Sequence, residues 1–492
     1  MVFNSWTFLV FFVVVYLLYL RLNHSTQNWM LLIASYIFYG WWDYRFLALL
    51  FTTSTIDYLA GLAMAASQSK ARRKLFLVIS MTGNLALLGF FKYYDFFAGS
   101  LNAGLHSLGI NANLTLLKIV LPVGISFYTF KSMGYSIEVY FRRIEVCRNL
   151  RDYFLFVGFF PQLLAGPIER AKNLITQVVQ PRVLTPRLIR SGLWLVLEGF
   201  FMKVFIADNA AILADKAFSQ PDPTGAQALL GIYAFAVQIY GDFAGYSQIA
   251  RGLANLMGFE FMLNFRQPYL AVNPSDFWSR WHISLSTWFR DYVFLQTAYG
   301  VAARLFRETY WGITAENIVY VIASLATMGL CGLWHGAAWK FVIWGLYQGL
   351  LLVIFRMFPA RRPTARPVWW QWPLKAVAYF QLTCFGWLIF RCDSMSQVVS
   401  FPKAIVTNFA FHGPDRQTLL ALLFMSIPLL VIDLCNEFKA EIGAVAARAS
   451  QTHRSAIQFV RIGAFTAAVT SMLVLIFLAG VRGGHQFIYF QF

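Results

Sequence analysis

Two histidines stand where a proton acceptor is rare. His335 lies in the stretch 317–355, NIVYVIASLATMGLCGLWHGAAWKFVIWGLYQGLLLVIF, between long apolar runs whose one nearby charge is Lys340. Lipid offers an imidazole no water, so an ionisable side chain at that depth is a functional candidate by default. A buried histidine bonded to a backbone carbonyl is the other reading of the same residue. His282 lies upstream in NPSDFWSRWHISLSTWFRDYVF, residues 273–294, with Arg280, Trp281, Arg290 and Asp291 close in sequence. It borders an apolar stripe, a setting in which a lone histidine is more often structural than catalytic. Other ionisable groups interrupt apolar segments as well: Asp57, Lys131, Glu138, Glu198, Lys203 and Asp242, the last within YGDFAGYS at 240–247.

These residue types suit acyl transfer. A neutral imidazole can take the proton of an alcohol as its oxygen attacks an acyl carbon, and its ordinary pKa of about 6.5 lies close to working pH. A thioester donor then needs alignment with the alcohol and help for the oxyanion. Arg280 and Arg290, together with the basic loops, suit an anionic donor such as a coenzyme A thioester; each arginine taken singly also suits anchoring at the interface. Broken helices and buried charges equally mark a transporter's substrate path. Serine-hydrolase, zinc-protease and phosphate-loop motifs are missing. The cysteines at 147, 331, 384, 392 and 435 form no C-x-x-C pair, which points to neither a metal site nor a disulfide framework.

The elements that must carry these groups are membrane helices. Of 492 residues, 59% are hydrophobic and only 13% charged, and the mean hydropathy is +0.57. A soluble globular chain of this size is excluded. A span needs about 20 apolar residues, and many such windows occur; a β-barrel would need short alternating segments. The net charge of +18 resides in short loops, which is the positive-inside pattern and not a nucleic-acid signal. The first segment has neither the basic region nor the cleavage site of a signal peptide and is expected to stay as a helix.

Spans are expected at 5–20, 28–42, 46–66, 75–98, 117–140, 191–215 and 228–257. Pro122 and Gly124 interrupt the fifth. The Pro/Gly-broken piece 152–167 reads as re-entrant, because basic loops flank it on both sides. Residues 273–294 read as one amphipathic interfacial helix: Asn273 caps it, Pro274 opens it, Asp276 sits in the first turn, and Trp281, Leu285, Trp288 and Tyr292 share a face. The His335 hairpin crosses twice or dips in. Arg356, Arg361, Arg362 and Arg366 then mark a cytoplasmic linker, and three more spans follow at 369–390, 419–435 and 459–479, with a helical, mildly basic connection at 439–454. Counting crossings puts both termini outside. The expected fold is an all-α polytopic membrane protein, one integral-membrane domain over 1–492 with no internal repeat.

Longer strings carry a resemblance: MVFNSWTFLVFF at the start, IASYIFYGWW at 33–42, LPVGISFYTF at 121–130, FFPQLLAGPIER at 159–170, KVFIADNAAILAD at 203–215, YGDFAGYS, NPSDFWSRWHISLSTWFRDY, GLWHGAAW and the C-terminal FIYFQF. In this order they resemble the membrane-bound O-acyltransferases (MBOAT), in particular the bacterial group that acetylates alginate and other exopolysaccharides. The resemblance implies a multi-helix bundle with re-entrant segments and a transmembrane tunnel. It implies that His335, within Trp334-His335-Gly336, is the catalytic histidine and His282 the second characteristic polar position. Trp334, Asp242, Arg280, Trp281, Arg290 and Asp291 are weaker expectations for substrate or tunnel roles. It further implies acetyl-CoA as a donor substrate, no resident cofactor or metal, a polysaccharide acceptor outside the bacterial inner membrane, and a periplasmic acetyltransferase partner. Acylation of lipid or teichoic acid stays open within the family. After Tyr292 the chain departs from the family pattern: VFLQTAYGVAARLFRETYW, residues 293–311, replaces the usual Leu-Gly-Gly segment.

Overall fold

The computed structural model describes residues 1–111, 113–358, 370–444, 454–481 and 487–488. Most of it is helix. Eight helices among the described residues are long and apolar enough to cross a membrane.

The chain opens with α1 (Trp6–Tyr19) and α2 (His24–Gly40), which at 14 and 17 residues are shorter than plain spans. After α3 (Leu47–Ala66) comes a helical run of 38 residues, longer than the expected 75–98. It consists of α4 (Lys70–Leu88), a π-turn at Gly89–Tyr93 and α5 (Tyr94–Ser107). The predicted span 117–140 is helical only as α6 (Ile125–Tyr140). Gly124 precedes it at φ +79°, and a Cβ there would lie 2.6 Å from the Leu163 carbonyl oxygen. That left-handed, crowded position favours glycine, and it starts α6 well inside the expected segment.

The piece read as re-entrant forms α7 (Leu150–Gly158) and α8 (Phe160–Leu163), with every residue from 152 to 169 buried. Irregular backbone at this depth is tolerated because protein covers it. Next come α9 (Ala171–Val179), α10 (Pro186–Phe200), a second π-turn at Phe201–Ala207, and α11 (Asp208–Phe218). The central element is α12 (Gly225–Leu256). Thr224 and Gln227 close a capping box at its start, satisfying two of its first N–H groups. Its most apolar window is 89% buried, against 6% for the last helix, Arg454–Ala479.

The 273–294 reading needs correction. Asn273 does cap a helix, accepting from the Asp276 N–H at 2.9 Å, but the helix stops after one turn. α13 (Pro274–Trp278) and α14 (Ile283–Phe289) are separated at His282, whose φ is +42°. Two backbone hydrogen bonds hold the break against the preceding segment: Arg266 N–H to Arg280 C=O and Ile283 N–H to Asn264 C=O, both 2.9 Å. Trp281, Leu285 and Trp288 are all buried, so the apolar stripe faces protein rather than the interface. A third π-turn, Arg290–Phe294, leads into α15 (Leu295–Ala302) and a hairpin of two short strands, β1 (Thr309–Tyr310) and β2 (Ile313–Thr314).

The His335 stretch folds as α16 (Ala315–His335) and α17 (Trp339–Met357), two full-length crossings. Their backbones touch: a Cβ on Gly332 would lie 2.1 Å from the Phe341 carbonyl oxygen, and one on Gly345 equally close to that of Met328. Small residues at such a contact let membrane helices approach. Arg356 pairs with Glu316 across the base of the hairpin, and Trp339 donates to Ser100 Oγ (3.2 Å) at its tip. α18 (Gln371–Arg391), α19 (Met395–Thr407) and α20 (Gly413–Glu437) complete the set; α19 has no counterpart among the sequence expectations. The linker arginines 361, 362 and 366, most of the 439–454 connection, and residues 489–492 of the C-terminal motif lie outside the described residues.

Basic loops gather on one face. Arg73 donates to the Tyr140 carbonyl, and Tyr58 OH to that of Arg148 at 2.6 Å, so the basic start of α4 adjoins the 142–149 loop. The positive-inside rule makes this face cytoplasmic. The tip of the α16–α17 hairpin and the start of α6 lie toward the other.

Candidate active site

His335 is the last residue of α16, at the turn of the hairpin rather than in mid-span. Gly336 leaves the helix with extended backbone, and α17 folds Phe341 back so closely that a Cβ on Gly336 would meet its ring at 2.1 Å. The imidazole is 3% exposed. Three rings meet it edge to face: Trp334 at 5.0 Å, Trp344 at 4.9 Å and Phe390 at 5.5 Å between centroids.

A cavity of about 100 Å³ reaches this ring. His335, Trp334, Lys92, Ser126, Phe127 and Leu164 line it, together with Trp42, Pro122 and Val123. Trp42 is 48% exposed, so the cavity comes to the surface beside it, on the face opposite the basic loops. Gly124 also lines it, which gives the α6 break a purpose: an unbroken helix would fill this space.

Lys92 comes from the π-turn between α4 and α5. Its ammonium donates to the Trp334 carbonyl at 2.6 Å and to Ser126 Oγ at 3.4 Å. Beside it, Tyr93 OH donates to the Leu333 carbonyl at 3.0 Å. Both satisfy carbonyls at the C-terminal end of α16, where a cation is also favoured by the helix dipole.

His282 is fully buried. Its Nδ1 lies 3.1 Å from Asn264 Oδ1, which also accepts from Ser284 N–H and Oγ–H, while Asn264 Nδ2 donates to Ser247 Oγ. The amide oxygen must therefore receive an Nδ1–H. In the neutral ring this makes Nε2 the proton-accepting nitrogen. Trp334 lies 5.9 Å from this ring and 5.0 Å from His335, so one indole touches both imidazoles. Phe243 packs on His282 at 4.5 Å, and Phe487, near the C-terminus, packs on Phe243 at 5.8 Å.

The remaining predicted residues take other places. Asp242 sits 2.8 Å from Lys203 Nζ, which also pairs with Asp208 at 2.8 Å, and its Oδ2 accepts from Ile488 N–H at 2.7 Å. Trp281 stacks on Phe277 and abuts Trp387. Arg280 binds Glu437 with two nitrogens and Asp276 with a third; the Glu437 carboxylate, with Asp276, holds its guanidinium well above its ordinary pKa. It stays charged at any working pH, and it is not part of the lining of the His335 cavity. Arg290 is largely exposed and pairs with Asp291, which also binds Arg170 at 2.8 Å.

Toward the cytoplasmic face the path narrows along α6. A void of about 10 Å³ lies among Phe127, Lys131 and Gln162, barely a water's room. Beyond it Trp288 stacks on Phe130 at 4.0 Å, and Tyr292 OH donates to Glu138 at 2.7 Å. Aromatic side chains thus separate the His335 cavity from the cytoplasmic face.

Sequence reasoning overlooked Lys92, Ser126, Asn264, Trp344 and Phe390. For Lys92 a signal existed: a lone lysine deep inside a 38-residue apolar helix.

A helical membrane bundle with a buried imidazole at the end of an outward-opening cavity is the frame of a membrane-embedded transferase. The family model for membrane-bound O-acyltransferases matches residues 145–310, a span that includes His282 but ends before His335. The probable alginate O-acetylase AlgI of Pseudomonas aeruginosa is 42% identical over 397 residues, 80% of this chain and 73% of the relative. The peptidoglycan O-acetyltransferase of Helicobacter pylori is 31% identical over 406 residues, 76% of this chain and 73% of the relative. The teichoic acid D-alanyltransferase of Bacillus subtilis is 30% identical over 54% of this chain and 68% of its own length. The chain belongs to the membrane-bound O-acyltransferase family. It is an O-acyltransferase, a multi-pass protein of the bacterial inner membrane.

Proposed function

We propose that the protein moves an acetyl group from a coenzyme A thioester on the cytoplasmic side to a hydroxyl of an extracytoplasmic polysaccharide, directly or through a periplasmic acetyltransferase partner. His335 is the general base, and His282, held by Asn264, orients the reacting groups through Trp334. The observation that carries this reading is the cavity joining His335 to the surface beside Trp42. The alcohol enters there and the imidazole takes its proton as the carbon–oxygen bond forms; the departing thiolate recovers that proton. Arg170, Lys172, Arg182 and Arg187 line a groove of about 1190 Å³ on the basic face, a docking surface for an anionic donor. The donor's acyl end reaches His335 when the Phe130–Trp288 stack parts. The named activities of the Pseudomonas and Helicobacter relatives, on alginate and peptidoglycan, fit an acceptor of this kind.

About 100 Å³ beside His335 suits an acetyl group and not a long chain. With purified protein in nanodiscs, periplasmic extract to supply the partner, and a polysaccharide acceptor, labelled acetyl-CoA is expected to be consumed with formation of sugar esters. Octanoyl-CoA is expected to react roughly 10-fold or more slowly, an effect of the size that poor pocket fit produces. A thioester left intact while polysaccharide crosses the bilayer would instead make the protein an exporter.

A further inference from the structure

We propose that Lys92 is a catalytic residue, the cation that receives the oxyanion formed at the acyl carbonyl. The inference rests on the acyl-transfer reading above. It starts from position. The ammonium lies in the wall of the cavity that His335 lines, and its 2.6 Å bond to the Trp334 carbonyl sets it beside the residue that bears the base. π-Turns inside α-helices recur at functional sites because the extra residue re-aims a side chain. Here the turn Gly89–Tyr93 carries the lysine that lines the cavity.

Charge gives the second argument. An ammonium at this depth is costly without a counter-charge. Among the described residues no carboxylate stands within ion-pairing distance of Lys92, whereas the buried Lys203 has two. Lys92 has three N–H groups. The Trp334 carbonyl takes one, Ser126 Oγ takes another at a long 3.4 Å, and the third is left for the cavity. A fixed positive group facing a space where negative charge develops is the arrangement that stabilises a tetrahedral intermediate.

The step balances without further reagents. The acceptor hydroxyl oxygen bonds to the acyl carbon and its proton passes to His335. The carbonyl π-pair moves onto oxygen, where Lys92 donates a hydrogen bond to it. When the carbonyl re-forms, the carbon–sulfur bond breaks, and the thiolate takes the proton back from the imidazolium.

Capping α16 is the competing role for Lys92, and Tyr93 separates the two, because it caps the neighbouring carbonyl from outside the cavity lining. Lys92→Gln keeps an N–H for the Trp334 carbonyl but removes the charge; Lys92→Arg keeps the charge; Tyr93→Phe removes a cap alone. With acetyl-CoA and acceptor, Lys92→Gln is expected to lose roughly 10²–10³ in kcat, the cost of one oxyanion donor, with KM little changed. Lys92→Arg should recover part of that loss, and Tyr93→Phe should keep most of the activity at an unchanged melting midpoint. Should Lys92→Gln fail to fold, Lys92→Arg decides: loss of kcat without loss of melting midpoint or KM supports the proposal, and wild-type kcat together with an unfolded Gln variant assigns Lys92 to capping. Wild-type kcat in Lys92→Gln, or equal losses in Lys92→Gln and Tyr93→Phe, overturns it. A wild-type protein that consumes no thioester removes the acyl-transfer reading itself, a result distinct from either.

Discussion

His335→Ala is expected to lower acyl transfer by roughly 10²–10⁴-fold, the span over which a positioned general base contributes. The loss should fall on kcat, because in the proposed mechanism the imidazole takes the proton in the transition state and adds little to holding either substrate. Folding should survive. The ring is packed among Trp334, Trp344 and Phe390 but already borders a cavity, so truncation enlarges an existing space rather than opening a void in tight packing. The check is transfer rate measured beside melting midpoint and elution profile in detergent. Near wild-type turnover in a folded variant would remove the base assignment. A variant that aggregates would show that the ring is held for packing.

Lys203→Met is expected to cost about 3–5 kcal/mol of stability, the penalty for leaving buried charges unpaired. Lys203 is within 2.8 Å of both Asp208 and Asp242, and all three side chains are at most 7% exposed. With the cation gone, two buried carboxylates face each other without a counter-charge. Net stabilities of about 5–15 kcal/mol leave little margin for such a loss. Asp242 also accepts from Ile488 N–H, and the neighbouring Phe487 packs on Phe243, which in turn packs on His282. The defect should therefore loosen the packing behind the second histidine as well. A melting midpoint well below wild type is expected, with part of it restored when both aspartates become asparagine in the same chain, since a neutral cluster of the same shape is tolerated. An unchanged midpoint for Lys203→Met alone would refute this.

Some of this was legible in the sequence for identifiable reasons. Hydropathy over about 20 residues exposes a membrane helix whatever it packs against, so the hairpin arms, α12 and the last helices are placed within a few residues. His335 is visible because one ionisable group interrupts a long apolar run. The 273–294 stretch misleads, because a 3.6-residue period reports a shared face but not the chain's path. Trp281 and Trp288 both meet the core, one on each side of a left-handed turn at His282 that period alone cannot reveal. Arg280 was read as a tunnel group, but the acid that engages it with two nitrogens, Glu437, lies far along the chain. Lys92 falls six residues from the end of the expected span 75–98, where a lysine also suits the interface. Whether such a lysine snorkels to the interface or turns inward depends on the π-turn, which leaves no periodic trace.

The central claim is that the acceptor reaches His335 from the outer face, entering the cavity beside Trp42. Ser126→Cys puts a thiol in the cavity wall. In sealed vesicles of known orientation, a charged, membrane-impermeant thiol reagent applied to the outer side is expected to stop acyl transfer by this variant. Acceptor polysaccharide should slow that inactivation, and wild-type protein should be unaffected. Inactivation only from the cytoplasmic side, or none from the outer side, would contradict the account.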